Sequence, residues 1–363
     1  MIESEILNSC IQCGTCVSSC CSKSTLNLRR ILASFIGKRT PVWEFEQIWY
    51  CTTCHICQDR CPRGIGLTDA IVKAREEVIE SGNVPPDIRD MLINIQKHRN
   101  PFGISKFKRD AWAKGLDIPT VKSNPDFEYL WYVGCANSFD TRNKQIAAKT
   151  AQLFNEIGLN YAILGREEGC CGNDVKMVGE EGLFELLKQE NFDVFEKYNV
   201  KKIVVLSPHC YHIFKNEYGL DVKLAIELIY EAIITGNLKF SKEIEKKVTF
   251  HDPCYLGRYN NIYDLPRELI KTIPMVELVE MQRIRERSFC CGGGGGNVVR
   301  DYPNSKRPNV IRVQEAKRTD ADILAVACPF CMSMLEDAVK TLGLELEVKD
   351  VVELIWEAVF KQD

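Results

Sequence analysis

The amino-acid sequence predicts a multidomain α+β protein, in which a small helical N-terminal domain is followed by two α/β modules that repeat each other. Three observations predict this fold class. Eight cysteines occur in two identically spaced runs before residue 62, short apolar segments alternate with longer amphipathic ones beyond Asp126, and the cysteines of this second part recur at a nearly constant offset. With 363 residues, the chain is long enough for two or three domains, each with its own hydrophobic core.

The overall composition indicates thiol chemistry in a reducing compartment. The chain contains 18 cysteines, and its N-terminus lacks the basic and apolar regions of a signal peptide. We therefore expect a cytoplasmic protein, in which reduced cysteines serve metal or redox chemistry more often than disulfides. No apolar stretch of about 18 residues predicts a membrane span, and a formal charge of -3 gives no reason to expect nucleic acid as a partner.

The first two cysteine runs both have the spacing C-x2-C-x2-C-x3-C, which is that of bacterial ferredoxins with two cubane 4Fe-4S clusters. In such proteins the fourth cysteine of each run binds the cluster of the other run. We therefore assign cluster one to Cys10, Cys13, Cys16 and Cys61, and cluster two to Cys51, Cys54, Cys57 and Cys20. A pair of structural zinc sites is the alternative, but zinc sites use separated pairs of ligands instead of three closely spaced cysteines.

The first run departs from the ferredoxin pattern at one position. Cys21 follows Cys20 where the pattern prefers proline, and we interpret it as a thiol beside the cluster and not as a ligand. Between the runs, RRILASFIG and FEQIWY predict short helices that keep water from the clusters. A helix at 67–80, with Thr68 as its N-cap, completes this domain, which we place at residues 1–80.

Residues 81–127 are predicted to form a linker. Pro85 and Pro86 follow the end of the preceding helix, and a basic segment surrounds the turn NPFG at 100–103. We interpret this segment as a solvated connector, with docking to a partner protein as the alternative.

Beyond the linker, the pattern is that of parallel α/β structure. YLWYVG, YAILG and KIVVLS are predicted as strands of a first module at 128–240, and VTFHD, MVELV and DILAVA as strands of a second at 241–363. The predicted helices lie at 142–157, 180–199, 309–319 and 331–341. Both modules are therefore expected to be Rossmann-like, with their sites at the carboxyl ends of the strands.

The cysteines of the two modules align at offsets of 119 to 121 residues. Cys135 pairs with Cys254, Cys170-Cys171 with Cys290-Cys291, and SPHC ending at Cys210 with CPFC ending at Cys331. The second module thus brings five cysteines from three places, and an adjacent pair suits an object with several metal atoms better than one small ion. The five glycines after the second pair allow the backbone to approach such an object closely.

The first module lacks one of these five cysteines. Ser207 stands where the second module has Cys328, and a hydroxyl is a poorer iron ligand than a thiolate. A cluster, a single metal ion such as zinc, and no metal are all compatible with the four thiols that remain, at Cys135, Cys170, Cys171 and Cys210. We interpret the neighbouring His209 and His212 as structural residues and not as ligands.

The sequence resembles the cysteine-rich CCG-domain iron-sulfur family, and within it the D subunit of heterodisulfide reductase, which corresponds to the fused C and B subunits. The resemblance rests on both ferredoxin runs, the NPFG turn with Arg109 and Trp112 behind it, and the strings SPHCYHIFKNEY, HDPCYLGR, CCGGGGG and ACPFC. It implies that the second module holds a noncubane 4Fe-4S cluster, which binds and cleaves a disulfide. The ligands that it implies are Cys254, Cys290, Cys291, Cys328 and Cys331.

Two functions are consistent with these motifs. The favoured hypothesis is an oxidoreductase acting on sulfur groups, which reduces a small disulfide or oxidises two thiols, by analogy coenzyme M and coenzyme B of methanogenesis, with electrons arriving through the ferredoxin domain. The alternative is a noncatalytic electron carrier between a flavoprotein dehydrogenase, of the glycolate, lactate or glycerol-3-phosphate type, and a quinone-reactive or cytochrome-type membrane subunit on which the chain docks. A purely structural zinc protein is a third reading, against which the two ferredoxin runs count.

The motifs that the chain lacks also bear on its partners. It has neither a GxGxxG fingerprint after a strand nor a P-loop, so any flavin is expected on a partner. His251 and Arg258 flank Cys254 and are candidates for an anion pocket, which would favour catalysis on a substrate with a sulfonate or phosphate group.

Overall fold

The computed structural model describes residues 8–37, 46–300 and 307–360, and it confirms the predicted fold class. Helices form the regular structure before residue 115, and two parallel four-stranded sheets with flanking helices follow. In chain order the strands are β1 Tyr129–Tyr132, β2 Tyr161–Ala162, β3 Lys202–Val205, β4 Val222–Leu224, β5 Lys246–Phe250, β6 Val276–Leu278, β7 Ile323–Val326 and β8 Glu347–Asp350.

The described α-helices are α1 Thr15–Ser19, α2 Leu28–Gly37, α3 Ile56–Asp59, α4 Leu67–Glu80, α5 Pro86–His98, α6 Cys135–Phe139, α7 Thr141–Glu156, α8 Asn173–Met177, α9 Glu181–Lys197, α10 Pro208–His212, α11 Ala225–Ile234, α12 Asp264–Lys271, α13 Pro308–Lys317, α14 Pro329–Leu342 and α15 Val351–Val359. Short 3-10 turns lie at Glu46–Tyr50, Lys106–Lys108, Ala111–Ala113, Gly165–Glu167, Arg285–Arg287 and Asn297–Val299, and a π-helical turn at Ile213–Glu217. None of the helices in the described ranges is long and apolar enough to cross a membrane.

Apolar side chains of α2, α4 and the intervening turn form the core of the N-terminal part. Ile31, Trp49 and Ile71 are almost fully buried. The helix predicted at RRILASFIG is observed as α2, and the one at FEQIWY as a 3-10 turn, although Phe45 of that string lies outside the described residues. These elements surround the two cysteine runs, as the apolar spacing predicted.

The helix predicted at 67–80 is confirmed with these bounds as α4, but the prediction of Thr68 as its N-cap was wrong. Gly66 occupies the N-cap position, without a side-chain cap, and Thr68 is buried within the first turn. The apolar contacts of α4 therefore fix where the helix begins, and the capping preference of threonine does not decide it.

The predicted linker at 81–127 is partly buried, and this includes the basic segment around its NPFG turn. The interpretation of that segment as a solvated connector was therefore wrong. It begins with α5, which buries Ile88, Met91 and Ile95 against the rest of the protein. Asn100 is also buried, and its side chain closes the NPFG turn by accepting the Phe102 N–H and donating to the Ile104 carbonyl. The basic residues on the exposed face of this segment concealed its buried face.

Each module contains one sheet, in the order β2-β1-β3-β4 in the first and β6-β5-β7-β8 in the second. The six predicted strands are observed and form three neighbouring strands of each sheet. The edge strands β4 and β8 escaped prediction because they are short and each contains a lysine, Lys223 and Lys349.

The two sheets also share the same register, which supports the internal repeat. Trp131 of β1 pairs with Val204 of β3, and Phe250 of β5 pairs with Ala325 of β7. These pairs are related by the same offsets, 119 and 121 residues, as the cysteines around them. The residues that follow, Tyr132 and His251, therefore occupy equivalent positions at the carboxyl ends of β1 and β5.

The two modules pack through α7 of the first and α14 and α15 of the second. Arg142 donates to Glu336 at 3.1 Å and to both carboxylate oxygens of Glu353, at 2.8 and 2.5 Å. The third ion pair of this contact joins Lys149 to Glu353 at 3.0 Å. Because Glu353 is buried and its pairing is bidentate, this contact is worth more than an exposed ion pair.

The glycine run of the second module packs against the second ferredoxin run. A Cβ at Gly294 would lie 2.5 Å from the Thr52 carbonyl oxygen, and one at Gly295 would lie 2.7 Å from that of Cys51. Arg75 of α4 is fully buried beside them and donates to the carbonyls of Cys51, Gly295, Ile48 and Met177. These glycines therefore serve the close approach of two backbones.

The variant Gly294→Ala is expected to lower the free energy of unfolding by about 1–3 kcal/mol, since its methyl group would overlap a main-chain oxygen that cannot move independently. Urea unfolding of anaerobically prepared protein measures this change. Gly182→Ala is the matched control, because its methyl group would meet only the flexible side chain of Glu180. Equal stability of both variants would show that the contact with Thr52 does not persist in solution.

Candidate iron-sulfur sites

The four cysteines assigned to cluster one lie together at the surface of the N-terminal part. They line one cavity and are Cys10, Cys13, Cys16 and Cys61. Cys13 is exposed, and the neighbouring Ile11 is 63% exposed. Arg29 and Arg63 line the same cavity and supply positive charge near a group that carries negative charge. Within the described residues, the thiols of this site are more exposed than those assigned to cluster two and to the second module.

The four cysteines assigned to cluster two are buried, at Cys20, Cys51, Cys54 and Cys57. Burial raises the pKa of Cys51 to about 11. Burial, and then the neighbouring thiols of Cys51 and Cys54, raise the pKa of Cys57 well above its ordinary value. Such thiols ionise readily only when metal ions take the place of their protons. The donor set therefore fits an iron-sulfur cluster, which binds thiolates.

Cys21 lies between the second ferredoxin run and the second module. The Sγ atoms of Cys21, Cys54 and Cys290 all lie within 4.8 Å of one another. Cys21 also lies 3.4 Å from the hydroxyl of Thr52, and all three cysteines are buried. The second ferredoxin run and the adjacent cysteine pair of the second module are thus direct neighbours, with Cys21 filling the space between them.

All five cysteines assigned to the second module are buried and brought together. Cys291 and Cys331 have their Sγ atoms 3.3 Å apart. The thiols contact one another in the order Cys254, Cys290, Cys291, Cys331 and Cys328. Cys254 follows β5 and Cys328 follows β7, so the site lies at the carboxyl ends of the parallel strands, as the sequence predicted.

Arg258 does not form the open anion pocket that its position beside Cys254 suggested. Its Nε donates to the Cys54 carbonyl, and its Nη1 donates to the Ser288 carbonyl at 2.8 Å. Burial lowers the pKa of the Arg258 guanidinium, but the thiols of Cys54 and Cys254 outweigh this effect. The pKa therefore lies above its ordinary value. Arg258 therefore fastens the ferredoxin run to the second module and compensates the negative charge of thiolates on both sides.

The four thiols of the first module also come together, around one cavity that Ser207 shares. They are Cys135, Cys170, Cys171 and Cys210. The Sγ atoms of Cys171 and Cys210 lie 3.4 Å apart. Arg109 is fully buried, lies 3.5 Å from Cys135 Sγ and forms an ion pair with Glu168 at 2.8 Å. A buried cation beside four gathered thiols, three of them buried and Cys135 partly exposed, fits an anionic metal-thiolate group.

The histidines beside Cys210 differ in their surroundings. His212 contacts the ring of Tyr259 edge-on, in agreement with a structural role. His209 lies 3.1 Å from Asn173, contacts Cys328 of the second module and stacks on Tyr255 at 4.0 Å. It thus joins the two modules, a contact between residues more than 100 positions apart that no local pattern reveals.

Sequence reasoning also missed a column of stacked rings between the domains. His55 of the ferredoxin run stacks on Tyr259 at 3.8 Å, Tyr259 on Tyr255 at 4.2 Å, and Tyr255 on His209. The tyrosines in HDPCYLGRY are four residues apart, a spacing that places two side chains on one face of a turn and was the available signal.

Besides the cavity at cluster one, the described residues form two further cavities at the gathered cysteines or their neighbours. The one between the modules, which the cysteines of the first module and Phe330 line, has a volume of about 40 Å³. A groove of about 350 Å³ lies where the three domains meet, beside Arg258 and Tyr259. Its other charged residues include the ion pairs Lys73–Glu76 and Lys176–Glu217, so its charges are largely balanced.

The fold and the gathered cysteines define an iron-sulfur protein with a two-cluster ferredoxin domain and two cysteine-rich modules. Residues 6–65 match the 4Fe-4S dicluster domain family, and residues 129–215 and 248–336 match the cysteine-rich domain family CCG. The chain belongs to the CCG-domain iron-sulfur oxidoreductase family, which includes the D subunit of heterodisulfide reductase.

Similar proteins include both long and short members of this family. The chain is 40% identical over 333 residues to the probable iron-sulfur-binding oxidoreductase FadF of Bacillus subtilis (88% of this chain, 47% of that protein). It is 34% identical over 333 residues to the EtfAB:quinone oxidoreductase of Syntrophomonas wolfei (86% and 46%). It is 30% identical over 390 residues to the D subunit of the dihydromethanophenazine:CoB–CoM heterodisulfide reductase of Methanosarcina mazei (97% and 94%). The chain thus spans about half the length of the first two.

The variants Cys57→Ser and Cys21→Ser are expected to differ in bound iron. If Cys57 is a ligand of cluster two, its loss removes about four iron atoms per chain, whereas loss of Cys21 leaves the iron content unchanged. Iron analysis of anaerobically reconstituted protein, with the EPR spectrum of the reduced clusters, measures both. A comparable loss of iron in Cys21→Ser would instead identify this thiol as a ligand.

Proposed function

We propose that the chain carries electrons, one at a time, between a flavoprotein and a second redox partner on the membrane. The proximity of Cys54 and Cys290, whose Sγ atoms lie within 4.8 Å, is the main support for this proposal. It brings the buried ferredoxin run next to the five-cysteine site, while the cysteines assigned to cluster one face the surface. The chain thereby offers an exposed site to the first partner and a row of neighbouring buried sites from it to the second module, from which the second partner would take its electrons.

The proposal assigns Cys10, Cys13, Cys16 and Cys61 to cluster one, Cys20, Cys51, Cys54 and Cys57 to cluster two, and Cys254, Cys290, Cys291, Cys328 and Cys331 to a noncubane cluster. When bound, these clusters supply one-electron redox chemistry. The protein residues exclude water from the two inner sites, since every thiol in them is buried. Arg258 holds those two sites together and offsets their negative charge.

The names of two relatives and the exposure of cluster one support a proposal for the partners. The Syntrophomonas wolfei relative is named for an electron-transfer flavoprotein and a quinone, and a relative from Chromohalobacter salexigens is named a probable membrane-anchored ferredoxin. We infer a flavoprotein donor that docks near Cys13 and a quinone-reactive or cytochrome-type membrane subunit as the second partner. In this arrangement the chain lies on the cytoplasmic side of the membrane, and flavin belongs to the donor.

Reduction of a small disulfide at the second module is the second candidate, and the complete set of five cysteines favours it. The similarity to the D subunit of heterodisulfide reductase, which extends over nearly the whole chain, also supports it. Two observations favour electron transfer alone. The cavity between the modules holds only a few water molecules' volume, and the groove beside Arg258 has balanced charges. A disulfide the size of a coenzyme could reach the five cysteines only if the residues that line this cavity and this groove moved apart.

We expect reduced electron-transfer flavoprotein to reduce the clusters of the wild-type chain, and the variant Cys13→Ser to slow this reduction at least tenfold because it removes a ligand of the entry cluster. Stopped-flow absorbance under anaerobic conditions measures the rate. Dithionite, which is small enough to reach the inner sites by other routes, is the control reductant and should reduce the remaining clusters of both proteins. Equal rates with the flavoprotein would contradict entry through cluster one.

The two candidate functions predict different EPR spectra in the presence of thiols. For an electron carrier, coenzyme M added to the oxidised protein leaves the spectrum unchanged. Disulfide chemistry instead predicts a new paramagnetic signal in the oxidised, thiol-treated sample, which Cys331→Ser abolishes and the equivalent exchange in the first module, Cys210→Ser, retains. Such a signal would replace the first proposal with the second for that thiol.

A further inference from the structure

His251 and Arg312 form a buried pair next to the five cysteines of the second module. His251 directly follows β5, and its main-chain N–H donates to the Ala325 carbonyl at 2.9 Å. Arg312 of α13 donates from Nε to His251 Nδ1 at 3.0 Å, and both side chains are at most 1% exposed. Arg312 is itself fixed, since its Nη1 donates to Glu315 and to the Arg283 carbonyl, each at 2.9 Å.

This hydrogen bond determines which ring nitrogen of His251 carries the proton. A guanidinium has only donors, so Nδ1 must accept with its lone pair, and the proton of the neutral ring is on Nε2. A nitrogen in this state has no lone pair for a metal ion. His251 is therefore a donor at Nε2 and not a ligand of the metal group beside it.

The acceptor of this N–H has to be found among the cysteines. A ring nitrogen of His251 lies within 4.8 Å of the Sγ atoms of both Cys291 and Cys331. Nε2 is the nitrogen that Arg312 leaves available, and it has no hydrogen-bond partner within the part of the chain that the structure describes. A buried donor without an acceptor is costly, and sulfur atoms that carry negative charge would satisfy it.

The first module provides an independent parallel at the equivalent position. Tyr132 ends β1 as His251 follows β5, and its hydroxyl is buried without a hydrogen-bond partner among the described residues. Burial, and then the charges of Glu168, Cys171 and Cys135, raise the pKa of Tyr132 well above its ordinary value. Two chemically different side chains thus place one buried polar atom each, without a hydrogen-bond partner among the described residues, at the carboxyl ends of equivalent strands.

We propose that His251 donates its Nε2–H to the sulfur atoms of the iron-sulfur group held by Cys291 and Cys331, and that Arg312 positions it for this role. Arg312 is thus the positioning residue. His251 acts on the sulfur atoms of the group and touches no substrate. A hydrogen bond to sulfur stabilises the more negative, reduced form, so this donor raises the reduction potential of the inner site relative to the clusters that feed it. The inference rests on the proposed function only in requiring an iron-sulfur group in the second module.

Electron-nuclear double resonance (ENDOR) on the wild-type full-length protein, reduced or oxidised to make this group paramagnetic, tests the proposal without a variant. We expect a hyperfine coupling from an exchangeable proton that disappears after exchange into D2O, and only a weak nitrogen coupling. A strong nitrogen coupling, as for a directly bound imidazole, would overturn the proposal. So would the absence of an exchangeable proton.

The variant His251→Phe provides the second test, because phenylalanine keeps a ring at this position and removes the donor. At a fixed potential we expect its oxidised-to-reduced ratio to rise about tenfold, which corresponds to about 59 mV for a one-electron couple. EPR-monitored redox titration measures this shift, with unchanged iron content. Loss of iron, or an unchanged potential, would contradict the proposal.

Tyr132→Phe is the matched control, since it removes the equivalent donor from the first module and should leave the potential of the second unchanged. The outcome of these titrations does not depend on any thiol, disulfide or flavoprotein. A negative result with coenzyme M or with the flavoprotein therefore overturns the proposed function alone, and an unshifted potential overturns the role of His251 alone.

Discussion

The carbonyl oxygens of Cys51 and Thr52 lie so close to Gly294 and Gly295 that any side chain at these glycines would overlap them. The arrangement of the redox sites depends on this contact, because it sets the distance between the second ferredoxin run and the five-cysteine site. Arg75 and Arg258 hold the same two segments by donating to their main-chain carbonyls. The connection between the sites thus depends on backbone geometry, with surface ion pairs contributing little.

Buried arginines accompany each group of buried thiols. Arg109 lies beside the cysteines of the first module, Arg258 between cluster two and the second module, and Arg312 behind His251. Burial of a cation is unfavourable unless negative charge or carbonyl oxygens surround it. Glu168 pairs with Arg109 and Glu315 with Arg312, so carboxylates beside the thiols supply part of this compensation.

The spacing of cysteines carried most of the information that the sequence held about the sites. Because the ligands of a ferredoxin run are close in sequence, Cys10 to Cys16 could be grouped by their spacing alone, and the offset of the repeat grouped Cys254 with Cys290 and Cys331. Strands such as YLWYVG were equally clear, since they are continuous apolar segments of buried parallel sheets. The order of the core elements was thus accessible from local patterns.

Contacts between domains were not accessible in this way. The glycine run was expected to approach a cluster, but Gly294 and Gly295 instead meet the backbone of Cys51 and Thr52, more than 200 residues away. The role of His209 at Cys328 and the lock on His251 by Arg312 are also long-range contacts between residues without a shared motif. The buried face of α5 was not predicted either, because helix propensity says little about which face packs.

The complete burial of the thiols at Cys20, Cys51, Cys54 and Cys57 has a consequence for the biogenesis of the protein. A carrier that delivers iron and sulfide has to reach these side chains directly, which the docked second module prevents. If these thiols bind the assigned cluster, its insertion would precede closure of the glycine contact, and the ferredoxin domain would receive iron and sulfide while the chain is still open. Assembly in a cell would then follow a fixed order, with the inner relay loaded before the protein becomes compact.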